Sequence, residues 1–228
     1  MATDTRDAAC RRIARPLQCC NQRTRCSYRP QRQASPRQRS HRMSGRRWSL
    51  LDLVTLATLG IASGVLFAGW GILWSSLSPL FAAVLPLQYL LFAGTWVIAG
   101  PLAGLIIRRP GAALAGEMIA ASVSFLLASQ WSIDAIASGA AQGIGAEVAF
   151  ALIAYRRPHI GIVVFAGALS GIGMAVHDIP LYFAGVDVTF ALLLAGAMVA
   201  SSALVGGVGA WLLRAALRRS GALDLIGA

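Results

Sequence analysis

Lysine is missing altogether: the twenty basic residues among 228 are all arginine. The Walker A pattern G-x-x-x-x-G-K-[ST] therefore cannot occur, which removes P-loop ATPase activity from this chain. Histidine is scarce, with His41, His159 and His177 on separate segments, so no His-Cys cluster of the kind that holds a transition metal is available. Neither an H-E-x-x-H helix nor a G-x-S-x-G turn is present, and a hydrolase would need one such metal or nucleophile. Cysteine is confined to Cys10, Cys19, Cys20 and Cys26, without a C-x-x-C pair or zinc-like spacing. An enzyme, a metal site and a disulfide scaffold are all poorly served by this inventory.

Charge is scarce too, and unevenly placed. Thirteen arginines precede Trp48, while from Ser49 onward seven arginines balance seven acids. The net charge of +11 thus belongs to the leader and is no argument for nucleic-acid binding by the body. Residues 1–47 are rich in Arg, Gln, Ser and Pro and have no apolar periodicity, so they are expected to be disordered. A basic arm on anionic lipid is one reading of them. Another starts from Met43, which opens MSGRRWSLLDL and makes residues 1–42 read as an over-extended reading frame. No short apolar core with a small-residue cleavage site marks a signal peptide.

What remains is overwhelmingly apolar: 57% hydrophobic residues, 13% charged, mean hydropathy +0.65. Runs long enough to cross a hydrocarbon core of about 30 Å cover 50–73, 80–107, 111–129, 133–155, 160–178 and 188–213, predicting an all-α polytopic membrane protein with six transmembrane helices. Pro86 and Pro101 break the second run, whose first part is expected to be re-entrant or loop. Arg46 and Arg47, Arg108 and Arg109, Arg156 and Arg157, and Arg214, Arg218 and Arg219 all fall on one side of that alternation. By the positive-inside rule both termini are cytoplasmic, in the cell (inner) membrane, with residues 218–228 as a cytoplasmic tail.

Small residues repeat every fourth position at Gly60, Gly64 and Ala68, and again at Gly167, Gly171 and Ala175. Such stripes let helices approach closely, either within the monomer or, for the first stripe, against a partner membrane subunit. Glu117 and Glu147 stand eight and nine residues from the nearest arginine pairs, roughly 12–14 Å deep. An ionisable group there costs several kcal/mol unless it meets protein or water. Asp134, Ser138 and Gln142 form one stripe on the fourth helix, and Gly139, Gly143 and Glu147 another, offset by about 140°. Toward the other side lie Trp70 and Trp74, Gln88 and Tyr89, Gln130 and Trp131, and His177, Asp178 and Tyr182. Trp and Tyr there are belt residues by default. Clustered with carboxamides and carboxylates they also suit a flat, nitrogen-rich, cationic ring.

Taken in order, GVLFAGWGILW, PLFAAVLPLQYLLFAGTWVIAGPLAGLIIRRPGAAL, SQW, QGIGAEVAFAL and HDIPLYF resemble the YkoE-type substrate-binding (S) component of energy-coupling-factor (ECF) vitamin transporters, over residues 48–217. The arginine-rich leader has no counterpart in that family. The resemblance implies a six-helix S component that captures thiamine or hydroxymethylpyrimidine from outside, closed by the loop between the first two helices, with no cofactor of its own. It would work with a transmembrane coupling (T) subunit and two cytoplasmic ATPases. The expected ligand contacts are Gln88, Gln130, Trp131, Gln142, Glu147 and Asp178, then Glu117, His177, Trp70, Trp74 and Tyr182. Gly60, Gly64 and Ala68 are the candidates for a partner-subunit interface. Two rivals stay open: a proton-coupled secondary transporter using Glu117 or Glu147 as relay, and a cobalt or other metal permease component, against which the scattered histidines argue.

Overall fold

The computed structural model describes residues 48–127, 130–156, 158–221 and 223; the leader lies outside them, as do Arg157, most of the C-terminal tail, and Ala128 and Ser129 of the turn before Gln130. Every regular element among the described residues is helical. Among the described residues eight α-helices run in chain order: α1 Leu50–Phe81, α2 Leu85–Phe92, α3 Ala99–Ile107, α4 Ala112–Leu126, α5 Asp134–Leu152, α6 Ile160–Tyr182, α7 Val188–Ser201 and α8 Gly209–Arg219. A 3-10 segment, Ala93–Val97, joins α2 to α3, and a π-helical stretch, Ser202–Val208, makes α7 and α8 one continuous rod. Among the described residues five helical segments are long and apolar enough to cross a membrane: Leu50–Phe81, Leu85–Ile107, Asp134–Leu152, Ile160–Tyr182 and Val188–Arg219. The segment expected to be a sixth span is shorter, since α4 holds only 15 residues.

Helix α1 starts where its sequence says it should. Ser49 and Asp52 form a capping box, the Ser49 side chain accepting from the Asp52 N–H at 3.1 Å and the Ser49 N–H donating to Asp52 Oδ2 at 2.8 Å. Its 32 residues extend about 48 Å, well beyond the thickness of a hydrocarbon core. The end that carries Trp74 therefore continues past the expected stop at residue 73 and walls a cavity. The second segment also departs from expectation. Pro86 sits in the first turn of α2, where its missing N–H costs nothing, and Pro101 in the first turn of α3, so the stretch is helical from Leu85 onward rather than looped. At the other end α8 runs to Arg219, two residues into the stretch expected to be tail.

Glycine sets the spacing between helices. A Cβ on Gly64 would lie 2.5 Å from Val123 Cβ and 2.7 Å from the Ala120 carbonyl oxygen, and one on Gly60 2.6 Å from Ile119 Cγ2. The α1 stripe expected at a partner interface is thus filled, at Gly60 and Gly64, by α4 of the same chain. Likewise a Cβ on Gly171 would meet Val199 Cα at 2.8 Å, and one on Gly207 would meet Val164 Cα at 2.6 Å, so α6 and the last rod touch backbone to backbone. We expect Gly64→Leu to destabilise the isolated subunit by about 1–3 kcal/mol through overpacking, read as a lower Tm in detergent. An unchanged Tm with lost complex assembly would return the stripe to a partner.

Candidate substrate-binding cavity

Between α1, α2, α4, α5 and α6 lies a cavity of about 220 Å³, below the roughly 300–1,000 Å³ of drug-sized pockets. Its size suits a ring or two, not a nucleotide or peptide. Aromatic side chains make one wall. The Trp74 ring lies 4.9 Å from Tyr89, 5.0 Å from Trp96 and 6.4 Å from Trp131, and Trp96 lies 4.9 Å from Trp131, all edge-on. Edge-to-face packing satisfies the rings' quadrupoles and leaves faces for a flat ligand.

The opposite wall is polar and is built by α5 and α6. Gln142 donates to Ser138 Oγ at 2.8 Å, and Ser138 donates to Asp178 Oδ1 at 3.0 Å. His177 Nδ1 lies 2.8 Å from the same Asp178 oxygen and its Nε2 lies 3.4 Å from Asp134 Oδ1, while the Tyr182 hydroxyl donates to Asp134 Oδ2. The i, i+4 spacing of Asp134, Ser138 and Gln142 puts these groups on one face of α5, toward α6. Asp134 and Tyr182 stand at helix ends and are the more exposed members; Gln142 is buried.

Glu117 lies deeper, 1% exposed, on α4. Its Oε2 accepts the Gly100 N–H of α3 at 2.6 Å, and its Oε1 is buried without a hydrogen-bond partner among the described residues. Gly100 permits this approach, because a Cβ there would lie 3.1 Å from Oε2. An acceptor left empty at the floor of a cavity is a place for a ligand's donor, since burying it unpaired costs about 1–3 kcal/mol.

Of the eleven side chains expected to touch a ligand, six line the cavity: Trp74, Glu117, Trp131, Gln142, Asp178 and Tyr182. Five do not. Gln88 is buried between α1 and α2 and donates to Ser78 at 2.8 Å. Gln130 is exposed and accepts from Ser75 of α1. The Trp70 indole donates to the Phe92 carbonyl at 2.9 Å. His177 stands one position back, bridging Asp134 and Asp178. Glu147 faces away from the cavity altogether. Its carboxylate accepts from the Gly111 N–H at 2.6 Å, the Ala113 N–H at 3.0 Å, the Leu114 N–H at 3.3 Å and the Tyr155 hydroxyl at 2.5 Å. It is an anion seated on the N-terminus of α4, where helix dipole and free N–H groups favour it. Burial, then the bond to Glu147, pushes the Tyr155 phenol above its ordinary range.

Other lining residues were not among the expected contacts: Tyr89, Trp96, Asp134, Ser138, and the apolar Phe67 and Met174. Trp96 had a usable signal. It sits mid-run in AGTWVIAG, far from either interface, where a belt role does not explain it.

Residues 51–173 match the family described as the ABC-type cobalt transport system, permease component. Among curated proteins, "Putative HMP/thiamine permease protein YkoE" of Bacillus subtilis (strain 168) is 29% identical over 132 residues, which are 58% of this chain and 65% of that protein. Among solved structures, an S-component of an ECF transporter superposes with a TM-score of 0.73 at 24% identity, covering 78% of this chain and 89% of the other. At that identity the likeness is one of fold. With more than half its length matched by the family model, this multi-pass membrane protein belongs to the permease-component family of ABC-type cobalt transport systems, and it has the fold of an ECF S component.

Proposed function

We propose that this chain is the substrate-capture subunit of an ATP-driven ECF importer, taking thiamine or its hydroxymethylpyrimidine moiety from the extracellular side. The observation that carries this reading is the cavity itself: three tryptophans and a tyrosine facing three carboxyl groups, with one Glu117 oxygen unpartnered. An aminopyrimidine presents N–H donors for Glu117 and Gln142 at the floor. A thiazolium presents a positive charge for Asp134 and Asp178 nearer the mouth and for the aromatic faces beside them. Among the described residues no arginine lines the cavity, so its charge favours a cation. The wall is made of carboxylates, a carboxamide and aromatic rings, and the nearby imidazole of His177 is taken up between Asp134 and Asp178. That inventory suits a heterocycle better than the cobalt of the family's description.

Six spans with both termini cytoplasmic are the reading that the one-sided arginines support. The name of the Bacillus relative and the S-component fold support a T subunit and two ATPases as partners, and the lack of a Walker A pattern in this sequence fits ATP hydrolysis in those ATPases. Trp74, Trp96 and Trp131 make the test direct. Titration of the purified protein should quench tryptophan fluorescence with thiamine about tenfold more tightly than with hydroxymethylpyrimidine, the increment of one cation on aromatic faces. Saturable quenching by Co²⁺ alone would overturn the reading. Uptake that persists in cells lacking the ATPases, and stops when the proton gradient collapses, would favour the self-contained transporter instead.

A further inference from the structure

His177 stands behind two of the carboxylates that line the cavity. Its Nδ1 lies 2.8 Å from Asp178 Oδ1 on its own helix, and its Nε2 lies 3.4 Å from Asp134 Oδ1 on α5. Both carboxylates line the cavity, and the imidazole does not. Each is held by a second donor, the Ser138 hydroxyl at 3.0 Å on Asp178 Oδ1 and the Tyr182 hydroxyl on Asp134 Oδ2. A neutral imidazole carries one N–H and can donate to only one of its two partners, whereas an imidazolium donates to both. The side chain is 20% exposed, so its proton can exchange with water. Among the other titratable groups, Tyr89 of α2 and Glu117 of α4 line the same cavity, and Asp187 is engaged at the start of α7 by the Phe190 N–H. The rest of α7, the 3-10 segment and the π-helical stretch contain no charged residue. The arginine-bearing α8 meets α6 near Val163 and Ala166, far along the helix from His177. The ring is thus the group at this wall that can gain a positive charge.

We propose that His177 is the positioning residue that sets how strongly the cavity prefers a cation over a neutral ring, acting through Asp134 and Asp178. With the ring neutral, the two carboxylates present uncompensated negative charge to a cationic ligand. With the ring protonated, one of those charges is cancelled, both carboxylates are taken by N–H groups, and the imidazolium repels the incoming cation. A proton on His177 and a cationic ligand therefore compete, and by linkage the ligand's arrival expels the proton. A neutral ligand meets no such competition. The inference rests on the cavity's being the site for thiamine or hydroxymethylpyrimidine, and it adds what decides between the two.

Tryptophan-quenching titrations of the full-length protein with thiamine and with hydroxymethylpyrimidine, at about pH 8 and about pH 5.5, test it. The lower value lies one unit below the ordinary imidazole pKa of about 6.5. In the parent the ratio of the two affinities should fall by roughly tenfold between them, with thiamine bearing the loss. In His177→Gln the ratio should hold within about twofold. His177→Asn, which keeps a donor near the place of Nδ1, gives the same comparison if the Gln variant does not fold. Calorimetry of the parent at about pH 6.5, in buffers of unlike ionisation enthalpy, should show roughly half a proton released by thiamine and none by hydroxymethylpyrimidine. Titration of Asp134, Asp178 or Glu117 would persist in the variants, so an equal fall in parent and variant overturns the proposal. A ratio that ignores pH, or thiamine binding without proton release, overturns it too and leaves the capture of these ligands standing. If neither ligand quenches at either pH, the capture reading fails and the role of His177 falls with it.

Discussion

Glu117→Gln is expected to weaken thiamine binding by roughly 10- to 100-fold, the worth of one hydrogen bond in a desolvated site, while leaving Tm close to that of the parent. The asymmetry follows from the two carboxyl oxygens. The Gly100 N–H, 2.6 Å from Oε2, needs an acceptor. The glutamine oxygen must take that position, which forces the amide NH2 into the place of the unpartnered Oε1. A donor then faces whatever donor the ligand brings. Volume and the tie to α3 are kept, so the fold should not notice. Isothermal titration with thiamine and with hydroxymethylpyrimidine reads the loss, and because the contact belongs to the pyrimidine end both should weaken alike. Unchanged affinity for both would mean that Oε1 does not meet the ligand.

Glu147→Ala should do the reverse: a loss of about 2–4 kcal/mol of stability with affinity nearly unchanged in the folded fraction. Three backbone N–H groups at the start of α4 and the Tyr155 hydroxyl would lose their shared acceptor at once. These bonds also hold the loop that carries Arg108 and Arg109 against the turn at Ala154 and Tyr155, both at positive φ. Glu147→Gln should fall between, because one oxygen remains but the NH2 confronts N–H donors. Thermal unfolding paired with ligand titration separates the outcomes. A collapse in affinity at unchanged Tm would put Glu147 back among the ligand contacts.

The two glutamates show where reading residues in order stops being enough. Counting from the nearest arginines gave them similar depths on neighbouring antiparallel helices. In the structure α5 ends at Leu152 and the chain turns before Arg156, so the arginines are poor rulers. The register of α4 against α5 then separates the pair. Glu117 lies opposite Gly143, where a Cβ would sit 3.1 Å from Glu117 Cβ. Glu147 is one turn nearer the helix end and meets the N-terminus of α4. A one-turn difference decides between a cavity floor and a helix cap, and depth arithmetic at 1.5 Å per residue cannot see it. The polar stripe of α5 was legible because i, i+4 spacing is a property of one helix. That it meets α6 rather than α1 was not.

Composition and order alone determined the all-helical membrane architecture, since unpaired backbone cannot lie in lipid and the apolar runs are long enough to span it. They also carried the family resemblance and the absence of a Walker A pattern from this sequence. Tertiary structure decided the rest. Gln88, Gln130, Trp70 and Glu147 went to helix ties, Trp96 and Asp134 joined the cavity, and Gly60 and Gly64 closed on α4 rather than standing open for a partner. The physical reason is common to all of them. Residue type fixes what a side chain can bond to, whereas register, tilt and glycine-limited spacing between helices fix what it reaches, and those are settled only when the helices pack.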